Sequence, residues 1–271
     1  MNPVGFKFMQ VFLKERSGLI LNDDKAYLLE SRLTPVARRH AFAGGLDELI
    51  ATAQSGASEQ LLTDIVEAMT TNESFFFRDT KPFDLFKNFV LPHLLEVRGS
   101  TKSFRIWSAA ASSGQEPYSL GMILKEEAAK LPGWRHKIIG TDLSKEILAK
   151  AEAGRYSQFE VQRGMPIQLL VKYFDKDGES WQIKPAVKEM IEFKPQNLLK
   201  DFSLLGKFDV VFCRNVLIYF DQETKSNILD RISAIIADDG YLFLGGAETV
   251  LGLTEKFGPV PGQRGIYKKL V

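Results

Sequence analysis

Cysteine is nearly absent. Cys213 stands alone among 271 residues, so no internal disulfide forms and nothing calls for an oxidising compartment. An excess of one charge sign is missing too: 35 Lys and Arg face 34 Asp and Glu, with a pI near 7.7. A domain that lives on nucleic acid runs more basic, above pI ~9, so no nucleic-acid partner is expected. Histidine occurs only at His40, His93 and His136, leaving no Cys/His cluster for a metal and little for histidine-based acid–base chemistry. No apolar run reaches the ~20 residues of a membrane span. The opening MNPVGFKFMQVFLKERSG lacks the basic, apolar and small-residue succession of a secretion signal. The expectation is a cytoplasmic protein without membrane insertion, and a monomer by default. A glycine-rich nucleotide fingerprint is also lacking: WSAAASSGQEPYSL, residues 107–120, has one glycine where G-x-G-x-x-G has three.

What is present divides by texture, and 45% hydrophobic content suffices for a substantial core. Residues 1–70 read as helices throughout. Phe6, Met9, Val11, Phe12 and Leu13 mark a buried face ending at Gly18, and Asp23 and Asp24 precede a second helix, KAYLLESRLTPVARRH. LDELIATAQ and SEQLLTDIVEAMT continue the pattern. Residues 71–100 read as a link. Beyond 101, FRIWSAA, HKIIGTD, FDVVFCRN and GYLFLGG are apolar, strand-like runs separated by helical segments, the rhythm of an α/β parallel sheet covered on both faces. The rhythm breaks between about 166 and 195, where KYFDKDGESWQIKPAVKEMIEF reads as a small antiparallel insertion turning at residues 175–178.

In a doubly wound sheet, ligands bind beyond the carboxyl ends of the strands, near the switch in strand order. Ala109, Ala110, Ala111, Ser112, Ser113 and Gly114 let a ligand approach the backbone there, but Glu116 stands where it would repel a pyrophosphate. Asp142, closing IIGTD, is placed to accept ribose hydroxyls. Each has a plainer reading, Glu116 as a solvated helix-start acid and Asp142 as the cap of the helix near Ser144. Together and in this order they favour a nucleoside with a cationic substituent, S-adenosylmethionine. In TTNESFFFRDTKPF, residues 70–83, at least two of Phe75, Phe76 and Phe77 read as a staple between the helical and sheet parts, while Arg78 can pair with a carboxylate, of the methionyl tail or of the substrate. In FDVVFCRNVLIYFD, residues 208–221, Arg214, Asn215 and Tyr219 follow a buried strand, and Cys213 reads as a small core residue rather than a nucleophile.

TTNESFFFRD, WSAAASSGQEPYSL, GTDLS, FDVVFCRNVLIYF and GYLFLGGAE, in this order, resemble the chemotaxis receptor methyltransferases of the CheR family over essentially the whole chain. The resemblance implies a Rossmann-like class I S-adenosylmethionine-dependent methyltransferase domain over residues 101–271, with a small all-helical N-terminal domain for receptor recognition and an antiparallel β-subdomain insertion. It implies methyl transfer to glutamates of bacterial chemoreceptors, giving γ-glutamyl methyl esters and S-adenosylhomocysteine, with no metal. Site residues carry over by motif. Asn72, Ser74 and Arg78 would face the cofactor from the link, Ala110 and Glu116 from the loop after the first strand, with Glu116 near the methionyl amine. Asp142 would take the ribose and Asn197 and Leu198 the adenine. Arg214 and Asn215 would line the site, and Arg78 and Tyr219 would be catalytic, orienting the glutamate, with Tyr219 near the transferring methyl. Ala111 stands where the family often has Cys or Gly.

The chemistry agrees with the scarce histidine. A carboxylate is already deprotonated at neutral pH, so positioning and exclusion of water carry the reaction without a general base. The tetrapeptide after the strand is not the Asn/Asp-Pro-Pro-Tyr type of amino-group methyltransferases. Acidic receptor helices suit a basic surface, and Arg32, Arg38 and Arg39 read as the exposed side of the second helix, opposite Leu28, Leu29, Leu33 and Val36. In some members the β-subdomain docks a receptor's C-terminal pentapeptide by adding a strand; the short KDGESW turn speaks against that use here. Regulatory adaptor proteins are further candidate partners. The alternatives are a methyltransferase of RNA or small molecules and a non-catalytic adaptor. The absence of a basic–aromatic run argues against RNA, and the joint presence of Arg78, Glu116, Asp142 and Tyr219 argues against an adaptor.

Overall fold

The computed structural model describes residues 2–270. Four amphipathic helices come first: α1 (Pro3–Ser17), α2 (Ala26–Arg39), α3 (Gly45–Gly56) and α4 (Glu59–Met69). α1 begins where the Asn2 side chain accepts the Gly5 N–H at 2.7 Å, and it ends at Gly18 with φ 77°, a left-handed cap that a side chain would strain. Met9, Leu13, Leu29, Leu33, Leu49 and Ile65 are fully buried between these helices, which share a core of their own. Asp23 and Asp24 do not cap α2. They lie in a 3₁₀ turn before it, where Asp23 accepts from the Gln10 amide and Asp24 pairs with Lys25.

The stretch 71–100, expected as a link, is a short strap followed by helix. α5 (Lys81–Leu85), one π-helical turn (Phe86–Val90) and α6 (Leu91–Val97) run on from one another. Pro82 and Pro92 sit in the first turns of α5 and α6, where a missing N–H costs little. Phe83, Phe86, Val90, Leu91 and Leu94 are buried in the core beneath the sheet.

The remaining elements are β1 (Ser103–Ala109), α7 (Gln115–Glu126), β2 (Arg135–Asp142), α8 (Lys145–Ala153), β3 (Arg155–Ser157), α9 (Gln158–Gln162), α10 (Ile167–Tyr173), β4 (Phe174–Asp177), β5 (Ser180–Ile183), α11 (Pro185–Lys188), β6 (Ile191–Pro195), β7 (Phe208–Cys213), α12 (Gln222–Ile235), β8 (Ile236–Leu244), β9 (Phe257–Pro259) and β10 (Ile266–Lys269). Seven of the strands form one sheet in the order β6-β2-β1-β7-β8-β10-β9. Pairing is parallel from β6 to β8, and β10 runs antiparallel to both neighbours. The central strands are buried on both faces, which explains their unbroken apolar runs. On one face Phe212 and Phe243 stack 4.3 Å apart over α5 and α7; on the other Trp107 and Val211 pack with Ile228, Leu229 and Ile232 of α12.

The antiparallel insertion has different bounds from those expected. Its sheet, β3-β5-β4, begins at Arg155, turns at Gly178 (φ 60°) and ends at Ile183. Residues 191–195 leave it and become β6, the edge of the main sheet, in parallel register with β2 from Ile138↔Ile191 to Asp142↔Pro195. The chain leaves β1 for β2 on one side and returns to β7 on the other. This switch opens a cleft at the carboxyl ends of the strands.

Candidate active site

The cleft holds about 1030 Å³ of atom-free space, open solvent included, between the sheet's carboxyl edge, the strap after α4 and the end of α1. β1 delivers Ala110 and Ser112, β2 Asp142, β6 Asn197 and Leu198, and β7 Arg214, Asn215 and Tyr219; the strap adds Asn72, Ser74, Phe75 and Arg78. Every expected cofactor and catalytic residue therefore lies on one cavity. Ala111, also expected at that loop, is buried behind it.

Asp142 is 7% exposed. Its oxygens accept the N–H groups of Ser112 at 2.9 Å and Ser144 at 3.1 Å. Burial raises its carboxyl above the usual range, against the pull of those donors. Capping of α8 falls to Ser144, which accepts the Ile147 N–H, so Asp142 is free of that duty. Such an acid is suited to a ribose diol and poorly suited to a phosphate.

Glu116 sits in the first turn of α7. Oε1 accepts from Ser108 Oγ at 2.8 Å and Oε2 from Arg214 at 2.8 Å. Arg214, its side chain 1% exposed, also donates to Asp79 at 2.7 Å and to the Arg78 carbonyl at 2.9 Å, and lies over the Phe83 ring. Arg214 lines the cleft, but its guanidinium is committed to two carboxylates and to the strap backbone. Its work is to fasten the strap to the sheet. Nε is buried without a partner. Breaking a pair of this kind is costly, because it leaves a buried charge uncompensated.

The phenylalanines divide. Phe76 and Phe77 are buried in the core beneath the sheet and not in the helical core, so they anchor the strap to the sheet alone. Phe75 is half-exposed on the cleft, with the guanidinium of Arg78 5.3 Å from its ring centre and that of Arg163 at 4.4 Å. Arg78 also donates to the Glu73 carbonyl at 3.1 Å. Ser112 Oγ donates to the Asn72 carbonyl at 2.8 Å, tying the strap to the loop after β1. Asn197 donates to the carbonyl of Arg16 at 2.8 Å, and Ile20 N–H to the Tyr219 carbonyl at 2.9 Å; the end of α1 closes the cleft by these bonds. Cys213 is fully buried and its thiol is pushed well up, as a core residue requires and a nucleophile does not.

One arginine of α2 departs from expectation. Arg32 is not on the exposed side: it donates to the carbonyls of Met69 at 2.7 Å and Thr70 at 3.0 Å and to Thr71 Oγ1 at 3.1 Å. The last carbonyls of α4 need donors, and Arg32 supplies them. Arg39 is exposed and pairs with Asp64 at 3.1 Å, while Arg38 is exposed. Residues outside the expected set of cofactor and catalytic residues also build the site. Asp79, Ser108 and Ser112 brace the residues above, and Glu248 accepts bonds from the loop after β7. All four lie in motifs that carry the resemblance, Asp79 in TTNESFFFRD, Ser108 and Ser112 in WSAAASSGQEPYSL and Glu248 in GYLFLGGAE.

The cleft suits S-adenosylmethionine: a half-buried acid beside small residues, a second acid for a diol, and an apolar wall at Leu198 and Phe220. Among the described residues no group of acids, histidines and cysteine is arranged to hold a metal. Residues 72–266 match the family described as CheR methyltransferase, SAM binding domain. The chain is similar, at 43% identity over 267 residues, to chemotaxis protein methyltransferase 1 of Pseudomonas aeruginosa, with 96% of each chain covered. It is 40% identical over 262 residues to chemotaxis protein methyltransferase 1 of Vibrio cholerae, covering 96% of this chain and 94% of that one. To the chemotaxis protein methyltransferase of Escherichia coli it is 33% identical over 260 residues, covering 93% and 86%. With the sheet order and the cleft, these likenesses lead to one conclusion: the chain belongs to the CheR methyltransferases, S-adenosylmethionine-dependent enzymes of chemotaxis.

Proposed function

We propose that the protein esterifies glutamate side chains on the cytoplasmic helices of bacterial chemoreceptors, giving γ-glutamyl methyl esters and S-adenosylhomocysteine, and that it works in the cytoplasm as a monomer. The observation that carries this reading is the pairing of Arg78 and Tyr219 on a cleft with Asp142 and Glu116 and with no histidine. S-adenosylmethionine, when bound, supplies an electrophilic methyl group on a sulfonium, which a carboxylate accepts without prior removal of a proton.

The chain's own residues then have positioning work. Asp142 holds the ribose, Glu116 faces the methionyl amine, and Asn197 and Leu198 border the adenine. Asn72, Ser74, Ala110 and Asn215 complete the wall. Arg78, kept over Phe75 at the edge of the cleft, draws in the substrate carboxylate, and Tyr219 fixes its angle. A guanidinium that bound the carboxylate too tightly would weaken the nucleophile; the contact of Arg78 with the Phe75 face and the Glu73 carbonyl spreads its charge. Arg38 and Arg39 present a basic end of α2 to acidic receptor helices, with Arg32 holding that helix to α4 rather than touching receptor.

The test is transfer of labelled methyl from S-adenosylmethionine to a receptor cytoplasmic fragment, with RNA and no substrate in parallel. The label is expected on the receptor and released as methanol at alkaline pH, as an ester requires. Alkali-stable label, or label on RNA, would contradict the reading. Arg78→Ala and Tyr219→Phe are each expected to slow transfer by about tenfold or more.

A further inference from the structure

The loop that carries Tyr219 is held by a carboxylate outside the cleft. Glu248, beyond the end of β8, does not line the cavity. Its Oε2 accepts the N–H groups of Gly245 at 2.6 Å and Asn215 at 2.8 Å, and its Oε1 those of Val216 at 2.9 Å and Ile218 at 3.3 Å. One side chain thus ties the strand end of β8 to three residues of the turn after β7. That turn is strained: Asn215 has φ 59°. Val216 then passes the constraint on, since its carbonyl accepts the Tyr219 N–H at 3.2 Å. Gly245 makes the arrangement sterically feasible. A Cβ there would lie 2.7 Å from Glu248 Oε2 and from Asn215 Nδ2, and 2.9 Å from Asn215 N.

We infer that Glu248 is a positioning residue for methyl transfer: its carboxylate sets the loop 215–219 in the shape that brings Tyr219 to the substrate carboxylate. The inference rests on the proposed role of Tyr219. A neutral acceptor does not replace it, because an amide has one oxygen to offer and turns N–H donors against the backbone donors it must satisfy. Asp142 and Glu116 lie on other elements, and of the cleft wall Glu248 holds only Asn215 and Val216, so its removal is expected to act more on transfer than on cofactor affinity.

The experiment compares kcat, receptor KM and cofactor Kd for wild type, Glu248→Gln, Gly245→Ala, Tyr219→Phe and the doubles of Tyr219→Phe with each of the other two. Glu248→Gln and Gly245→Ala are expected to lower kcat by roughly tenfold to a hundredfold, the scale of an ångström-level misplacement, with cofactor Kd raised by a smaller factor than kcat falls. Each double is expected to be no slower than Tyr219→Phe alone, to within about threefold, because the two residues act through one group. Gly245→Ala displaces the carboxylate without removing it, so it and its double carry the comparison if Glu248→Gln does not fold. Wild-type kcat in both Glu248→Gln and Gly245→Ala, or doubles slowed by the product of the single losses, would overturn the inference and leave the role of Tyr219 standing. Wild-type kcat in Tyr219→Phe alone would remove that role, and the inference with it.

Discussion

At Asp142 burial and hydrogen bonding act in opposite directions, and burial prevails. With the ribose role proposed for Asp142, cofactor binding needs the ionised carboxylate, which accepts where a protonated one must donate. Because the carboxyl sits above the usual aspartate range, acidification protonates it sooner than a surface aspartate. S-adenosylhomocysteine affinity is therefore expected to fall on acidification, starting at a higher pH than an unperturbed aspartate would give, and Asp142→Asn should bind weakly at every pH with that dependence gone. Titration at several pH values checks it. Backbone strain is concentrated around the same cavity: of the eight non-glycine residues with positive φ among the described residues, Phe77, Asp79, Thr80, Ala110, Ser112 and Asn215 lie in the strap or in the loops after β1 and β7. Such geometry costs about 1–3 kcal/mol per residue and persists where the surroundings fix it, as Arg214 fixes Asp79 and Glu248 fixes Asn215. Asp142 and Glu116 were legible as candidates because one closes a strand and the other opens the helix that follows one. The partners of Arg214 were not, because ion pairs spanning 98 and 135 residues leave no local pattern.

The strap after α4 is the element on which the site turns, and it is pinned from below by the small subdomain. Arg163 pairs with Glu73 at 2.6 Å and lies over Phe75. Gly164, φ 82°, packs so closely that a Cβ would come within 2.0 Å of the Phe76 carbonyl oxygen. Gly164→Ala cannot be accommodated without moving the strap. It is expected to destabilise the protein by roughly 1–3 kcal/mol and to slow methyl transfer beyond what the lost stability explains; denaturant unfolding and single-turnover rates at saturating cofactor separate the two. Helices with a clean period, such as α2 and α4, and strands with unbroken apolar runs, such as β1 and β7, were readable at this scale. The stretch 71–100 was not, because prolines that begin helices look the same in sequence as prolines that end them. Residues 191–195 were assigned to the insertion because nothing local tells an edge strand's partner; its register with β2 does. Arg32 looked exposed because the period of α2 is silent about the carbonyls that α4 brings beside it.

Across the molecule, the helical unit and the sheet meet around the cleft through polar bonds: Lys14 with Asp221 at 2.7 Å, Asn197 with the Arg16 carbonyl, Ile20 with the Tyr219 carbonyl, and the Lys145 N–H with Glu67 at 2.7 Å. Lys14 holds the Asp221 carboxyl down to about 2, so this tie persists through the physiological range and is lost only as pH falls through that value. A cofactor held in the cleft would touch both units, through Ser17 and Leu19 on one side and Asp142 on the other. The central claim is that this cleft binds an adenosyl cofactor through the buried carboxylate of Asp142. Calorimetric titration of wild type and Asp142→Ala with S-adenosylmethionine and S-adenosylhomocysteine tests it most directly. The account predicts one site in the wild type and an affinity loss of about a hundredfold or more in the variant, the scale of two charge-assisted hydrogen bonds. Wild-type affinity in a folded Asp142→Ala variant would contradict it.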